Sequence, residues 1–137
     1  MTKPLLTLFT APKPFSNPHI AVIQRNALRS WLALGREVEV VALGDEAGLA
    51  ENAAALKVRH IREIKKNSSG TPLISSLFRA AREVNDSPLL AYVNADILLL
   101  PDFVAESRRV MALAKEFLLV GQRWDLDVHD ELPFTAG

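Results

Sequence analysis

Four short apolar runs, each parted from the next by a stretch with helical spacing, narrow the folds open to this chain more than anything else in it. The runs are PLLTLFT (Pro4–Thr10), the valine-rich EVEVVAL (Glu37–Leu43), LLAYVNA (Leu89–Ala95) and EFLLVGQRW (Glu116–Trp124). LLAYVNA does not alternate apolar with polar residues, so it reads as a strand buried on both faces. Strands of that kind belong to parallel sheets covered by helices on both sides. KVRHI (Lys57–Ile61) adds a short edge strand. The expected class is α/β, a three-layer α/β/α arrangement around a mostly parallel sheet.

The intervening stretches carry helix signals. Asn17 is placed as an N-cap with Pro18 in the first turn. Ile20, Ile23, Ala27, Trp31 and Leu34 then form one apolar stripe, which Gly35 ends as a C-cap. Gly44-Asp45 breaks the second strand, and the alanine-rich EAGLAENAAAL predicts a helix after it. Thr71-Pro72 opens another helix, with Leu73, Ile74, Leu77, Phe78, Ala81 and Val84 at helical spacing, and Asp86-Ser87-Pro88 closes it. Pro101-Asp102 starts a fourth, with Phe103, Ser107, Val110, Met111 and Ala114 on one side. In the sheet, Pro4–Thr10 is expected between Leu89–Val93 and Glu37–Leu43. Residues 1–137 read as one domain. The charged tail DLDVHDELPFTAG has no closing element, so the chain is expected to be cut short at its C-terminus. Apolar surface should then lie bare near FLLVGQRW and drive homo-oligomer formation.

Composition removes several function classes. Apolar residues make up 49% of the 137, enough for a core, and 16 basic residues balance 16 acidic ones. Zero net charge argues against a nucleic-acid binder, which shows a basic excess. With no cysteine there are neither disulfides nor thiolate metal sites. No stretch approaches the roughly 20 apolar residues of a membrane span, and the apolar run near the N-terminus is too short for a signal peptide. The expectation is a cytoplasmic protein without a transmembrane segment.

Ligands of open α/β sheets bind beyond the carboxyl ends of the strands, where strand order reverses. The residues to read are therefore Thr10-Ala11-Pro12, Gly44-Asp45 and Asn94-Ala95-Asp96. TAPKPFSNP after the first strand holds no glycine, which excludes a dinucleotide fingerprint, and no P-loop is present. Neither a Gly-x-Ser-x-Gly elbow nor an HExxH motif occurs. His19, His60 and His129 are scattered, which disfavours a histidine metal site. What remains is a carboxylate pattern suited to Mg²⁺ or Mn²⁺, ions that take oxygen ligands and often only one or two protein carboxylates. Asp96 would supply one, with the Asn94 amide orienting a neighbouring group.

LLTLFTAP, HIAVIQRNALRSWLAL, EVEVVALGD, NSSGTPLISSLFRAA and LLAYVNADILLLPDF together resemble the layout of nucleotide-sugar-dependent glycosyltransferases of the GT-A fold, the family 2-like group in particular. The resemblance runs from Leu5 to Trp124. It implies a Rossmann-like, GT-A-type domain holding the donor-binding half of the enzyme. It implies that Thr10 and Ala11 line the base pocket, Asp45 contacts base or ribose, and Asn94 and Asp96 occupy the Asp-x-Asp position, with Asp96 on the metal. The partners would be a nucleotide-diphosphate sugar and an acceptor that the sequence does not identify. No catalytic base is assigned. Asn94 stands where the family's first Asp would be, which removes one charge.

Plainer readings accompany each residue. Asn and Asp at strand ends form turns, and Asp45 fits an N-cap of the following helix equally well. A second Asp-x-Asp, at Asp125 and Asp127, reads as a solvated edge or loop, with a metal site on these carboxylates in place of Asp96 as the alternative. Lys65-Lys66 reads as solvated surface, with a diphosphate contact as the alternative, and His129 reads as surface. Two other functions share the architecture. A non-catalytic GT-A-like binding or interaction domain is the alternative; a sugar-1-phosphate nucleotidyltransferase would need a glycine-rich loop after the first strand, which is absent.

Overall fold

The computed structural model describes residues 3–121 and 125–134. Its elements alternate through most of the chain: β1 (Leu6–Thr10), α1 (Pro18–Leu32), β2 (Val38–Leu43), α2 (Leu49–Leu56), β3 (Arg59–Ile61), α3 (Ile74–Val84), β4 (Leu89–Tyr92) and α4 (Asp102–Leu113). The four strands form one sheet in the order β3-β2-β1-β4, and every pairing is parallel. β1 lies in the middle as expected, with Leu8 opposite Val40 on one side and Ala91 on the other. The class is α/β with a parallel sheet.

Strand periodicity divides the core into two clusters. Leu6 and Leu8 of β1 face Ala27, Leu28 and Trp31 of α1, Leu49 and Ala53 of α2, and Phe103 and Val104 of α4. Phe9 faces the other way, with Val41 and Leu43, against Leu77 and Ala81 of α3. There the Phe9 ring meets Phe78 edge-on at 4.8 Å and Tyr92 at 5.7 Å. Thr7 shares the Phe9 side and donates to Asn85 Oδ1 at 2.8 Å, which ties the α3–β4 loop to the central strand.

Helix signals held best where a cap and an apolar stripe coincide. Asn17 caps α1 by accepting from the His19 and Ile20 amides at 2.9 and 3.1 Å, with Pro18 first in the helix. α1 stops at Leu32, so its C-cap is Ala33 rather than Gly35, and Gly35 takes the positive φ of the exit turn. α3 begins at Ile74, after Thr71-Pro72. Pro72 instead bridges Lys66, and Asn67 Oδ1 accepts from the Ser69 and Thr71 amides, a local turn that outcompetes the first helical residues.

Two strand expectations are corrected. β4 is an edge strand and only half-buried, because its one partner among the described residues is β1. Its unbroken apolar run does reflect cover on both faces, with Leu89 and Ala91 packed on one cluster and Leu90 and Tyr92 on the other; it is the burial that is only partial. The expected fifth strand does not form over Glu116–Gly121; its last residues, 122–124, lie outside the described residues. Phe117 to Val120 are between 36% and 89% exposed, so apolar surface is bare where it was expected. Apolar composition gives strand propensity, but a strand exists only with a pairing partner.

Candidate functional site

Because all four strands run the same way, β1, β2, β3 and β4 end at the same edge of the sheet. The chain moves from β1 outward to β2 and β3, then returns past β1 to β4. Strand order thus reverses between β1 and β4, which is where an open α/β sheet forms its ligand crevice. Thr10 and the Asn94–Asp96 segment follow the two strands that flank this point. Asp45 lies one strand further along the same edge.

Thr10 closes β1 on the same face as Leu6 and Leu8. It is fully buried, and among the described residues its Oγ1 is the one buried side-chain polar atom without a hydrogen-bond partner. An unpaired buried hydroxyl costs about 1–3 kcal/mol. Thr7, three residues earlier and equally buried, has its hydroxyl bonded. The contrast singles out Thr10 as an unsatisfied buried hydroxyl at the carboxyl end of β1, beside the reversal. The sequence marked the position through the strand-end rule; the missing partner is a property of the packed structure. Ala11 follows, partly buried and packed with the Phe9 cluster.

Across the reversal, Val93 N donates to Phe9 O and extends the β1–β4 pairing by one step. Ile97 N then donates to Asn94 O at 3.2 Å, closing a turn with Ala95 and Asp96 at its centre. Asp96 is therefore a turn residue, and its exposed side chain leaves the carboxylate open to a ligand. The turn is pinned from behind. Trp31 Nε1 donates to Ile97 O at 2.9 Å, and Ser30 Oγ accepts from Leu99 N at 3.1 Å.

Tyr92 reports on this carboxylate. Burial raises its hydroxyl above the ordinary tyrosine value, and the nearby negative charge of Asp96 adds to the rise. A folded-state value above the unfolded one means that this stabilisation is present below about pH 10 and is lost as pH climbs through the folded value. Tyr92 is the only tyrosine, so phenolate absorbance reads it alone. The Asp96→Asn chain should titrate at lower pH than wild type yet still above free tyrosine, because burial is the larger cause. An unchanged midpoint would remove the carboxylate from the neighbourhood of Tyr92.

Asp45 does not cap α2, whose N-cap is Gly48 with no side-chain hydrogen bond. Its carboxylate faces Lys66 Nζ at 3.3 Å, and Glu46 reaches the same lysine at 3.7 Å. Asp45 lines an open cleft of about 630 Å³ with Arg62, Glu63, Ile64 and Lys66. His60, which the sequence offered no reason to single out, holds the bend before it. Its Nε2 lies 2.6 Å from Gly44 O, which requires the ring proton on Nε2. Lys66 read as solvated surface in the sequence; its pairing with two carboxylates from a different loop was invisible there.

No group of three or more His, Asp or Glu suited to a metal ion occurs among the described residues. The donor set near Asp96 is one exposed carboxylate with the exposed Asn94 amide two residues away. That set fits a hard cation whose remaining ligands are phosphate and water. Asp127 is not part of it: its carboxylate pairs with His129 Nε2 at 2.8 Å. No helix among the described residues is long and apolar enough to cross a membrane. Compared with protein-family models and with curated proteins, the chain matches none.

Proposed function

We propose that this chain is the donor-binding part of a nucleotide-sugar glycosyltransferase with a three-layer GT-A-type fold. The unpartnered Thr10 hydroxyl beside the strand-order reversal carries the reading, because it leaves a buried polar atom at the carboxyl end of β1 with nothing to bond. Support also comes from the Asp96 turn on the other side of that reversal and the cleft beside Asp45. In this reading the Thr10 hydroxyl bonds the nucleotide and Ala11 lines its base. The Asp45 carboxylate accepts from ribose hydroxyls, steadied by Lys66. Asp96 and Asn94 hold Mg²⁺ or Mn²⁺, which when bound stabilises charge on the departing nucleoside diphosphate. Self-association through Phe117–Val120 belongs to the same reading.

Calorimetric titration with UDP, GDP and dTDP, with and without Mn²⁺, tests it. One of the three should bind in a metal-dependent way, and metal and nucleotide should raise each other's affinity by the same factor. Asp96→Ala should abolish that dependence in a folded protein. Thr10→Val should lower nucleotide affinity about tenfold, the loss of roughly one hydrogen bond to a ligand, while leaving thermal stability equal or higher, since it removes an unpaired hydroxyl. Metal-independent results for all three nucleotides, or unchanged binding by Asp96→Ala, would remove the metal role. Binding by none of them would leave the second reading, a non-catalytic domain of the same architecture, which Asn94 in place of a carboxylate favours.

A further inference from the structure

Helix α1 holds two buried side-chain amides, and both grip main chain outside the helix. Gln24 donates through Nε2 to Lys13 O at 2.9 Å and accepts through Oε1 from Lys13 N at 2.7 Å, fixing the β1–α1 loop. Asn26, 1% exposed, does the same for a segment more than a hundred positions away. Its Nδ2 donates to Asp130 O at 2.9 Å and its Oδ1 accepts from Leu132 N at 2.8 Å. An amide that bonds the carbonyl of one residue and the N–H of the second after it engages the backbone on one edge of the segment, much as a neighbouring strand does.

The residue between those two bonds is read by charge. Arg25 Nε meets Glu131 Oε1 at 2.8 Å and Arg29 Nη1 meets Oε2 at 2.8 Å. Arg25 and Arg29 are one helical turn apart, so both guanidinium groups reach one carboxylate from the same helix face. Upstream, the His129 ring stacks on His19 with centroids 5.1 Å apart. The described residues between α4 and this segment, 114–121 and 125–129, form no helix or strand. Among the described residues, the hydrogen bonds and ion pairs of Asp130, Glu131 and Leu132 are all made with α1.

We propose that the α1 face formed by Arg25, Asn26 and Arg29 is a receptor for an extended acidic peptide, with Asp130-Glu131-Leu132 of this chain as its resident, exchangeable ligand. The backbone bonds of Asn26 set the extended conformation, and the two arginines select a carboxylate at the central position. A tethered ligand sees the site at a high effective concentration, so the resident segment outcompetes the same peptide added in solution.

The test uses the full chain and a fluorescein-labelled peptide of residues 125–134, read by anisotropy. Glu131→Lys in the protein places a cation against Arg25 and Arg29 and releases the resident segment. That variant should bind the wild-type peptide at least tenfold more tightly than the wild-type protein does. A peptide carrying the same Glu→Lys change should not bind it, and adding Asn26→Ala to the variant should weaken capture about tenfold or more. In the wild-type protein, exchange of the Leu132 amide should be slowed at least tenfold relative to the free peptide. Equal peptide binding by wild type and Glu131→Lys, equal capture of both peptides, or a Leu132 amide exchanging at the free-peptide rate would each overturn the proposal. The peptide variants and the exchange measurement keep it testable should Asn26→Ala fail to fold.

Discussion

Trp31→Ala should destabilise the domain by about 3–5 kcal/mol, a large share of the roughly 5–15 kcal/mol that single domains typically possess. Trp31 heads the fully buried side chains and packs in the cluster that joins α1 to Leu6, Leu8 and Val40. Its removal combines lost apolar contact with a cavity that rigid strand neighbours fill poorly. Trp31→Phe separates packing from polarity: it keeps most of the ring volume and deletes the indole N–H, leaving Ile97 O without its donor. That variant should cost less, about 1–3 kcal/mol, and should speed exchange of the Ile97 amide, which closes the Asp96 turn. Urea denaturation followed by far-ultraviolet circular dichroism measures the first effect, and amide exchange the second. A Trp31→Ala chain within 1 kcal/mol of wild type, with 1 kcal/mol taken as roughly the median cost of any substitution, would mean that the α1 interface is not a packed core.

The same tryptophan illustrates how far local sequence reaches. Its place in the stripe Ile20, Ile23, Ala27, Trp31 predicted burial, and burial is what occurs. Nothing in that spacing foretold that its N–H would hold the turn containing Asp96, 66 positions away. The pattern recurs across the molecule. β1, β2 and β4 were legible as strands because apolar runs report burial directly, and their order follows from the connections. Whether β4 has one neighbour or two depends on a long-range pairing that composition does not encode. FLLV, residues 117–120, is as apolar as the LLAY of β4 and remains outside any strand.

The candidate site divides along the same line. Strand ends locate Thr10, Asp45 and Asp96 at one edge, because a parallel sheet makes all carboxyl ends coincide. The character of each residue there is set by other segments: Lys66 meets Asp45 from the loop after β3, and no side chain reaches Thr10 Oγ1. The tail is the extreme case. Asn26 is not one of the stripe residues, and Asp130-Glu131 belongs to a charged tail with no local structural signal. Their meeting, across 104 positions, satisfies the buried amide.

Gly48→Ala is expected to cost about 2–5 kcal/mol, from two separable causes. Gly48 has φ +81°, in the left-handed region where a Cβ costs roughly 1–2 kcal/mol. A Cβ there would also lie 2.8 Å from Phe15 Cβ, close enough that backbone must move, an overpacking cost of about 1–3 kcal/mol. Gly35→Ala is the control: φ is +101° and nothing lies within 4 Å of the added carbon. It should show the strain alone, about 1–2 kcal/mol. The difference between the two variants, measured by urea denaturation, isolates the contact with Phe15. That contact matters because it joins two strand-end bends. Phe15 N already donates to Ala47 O at 2.7 Å, so the loop after β1 and the bend that carries Asp45 are held against each other. A methyl at Gly48 pushes them apart and should shift the edge that Thr10 and Asp45 share. Equal losses for Gly48→Ala and Gly35→Ala would show that the Phe15 loop yields freely, and that the two bends are set independently.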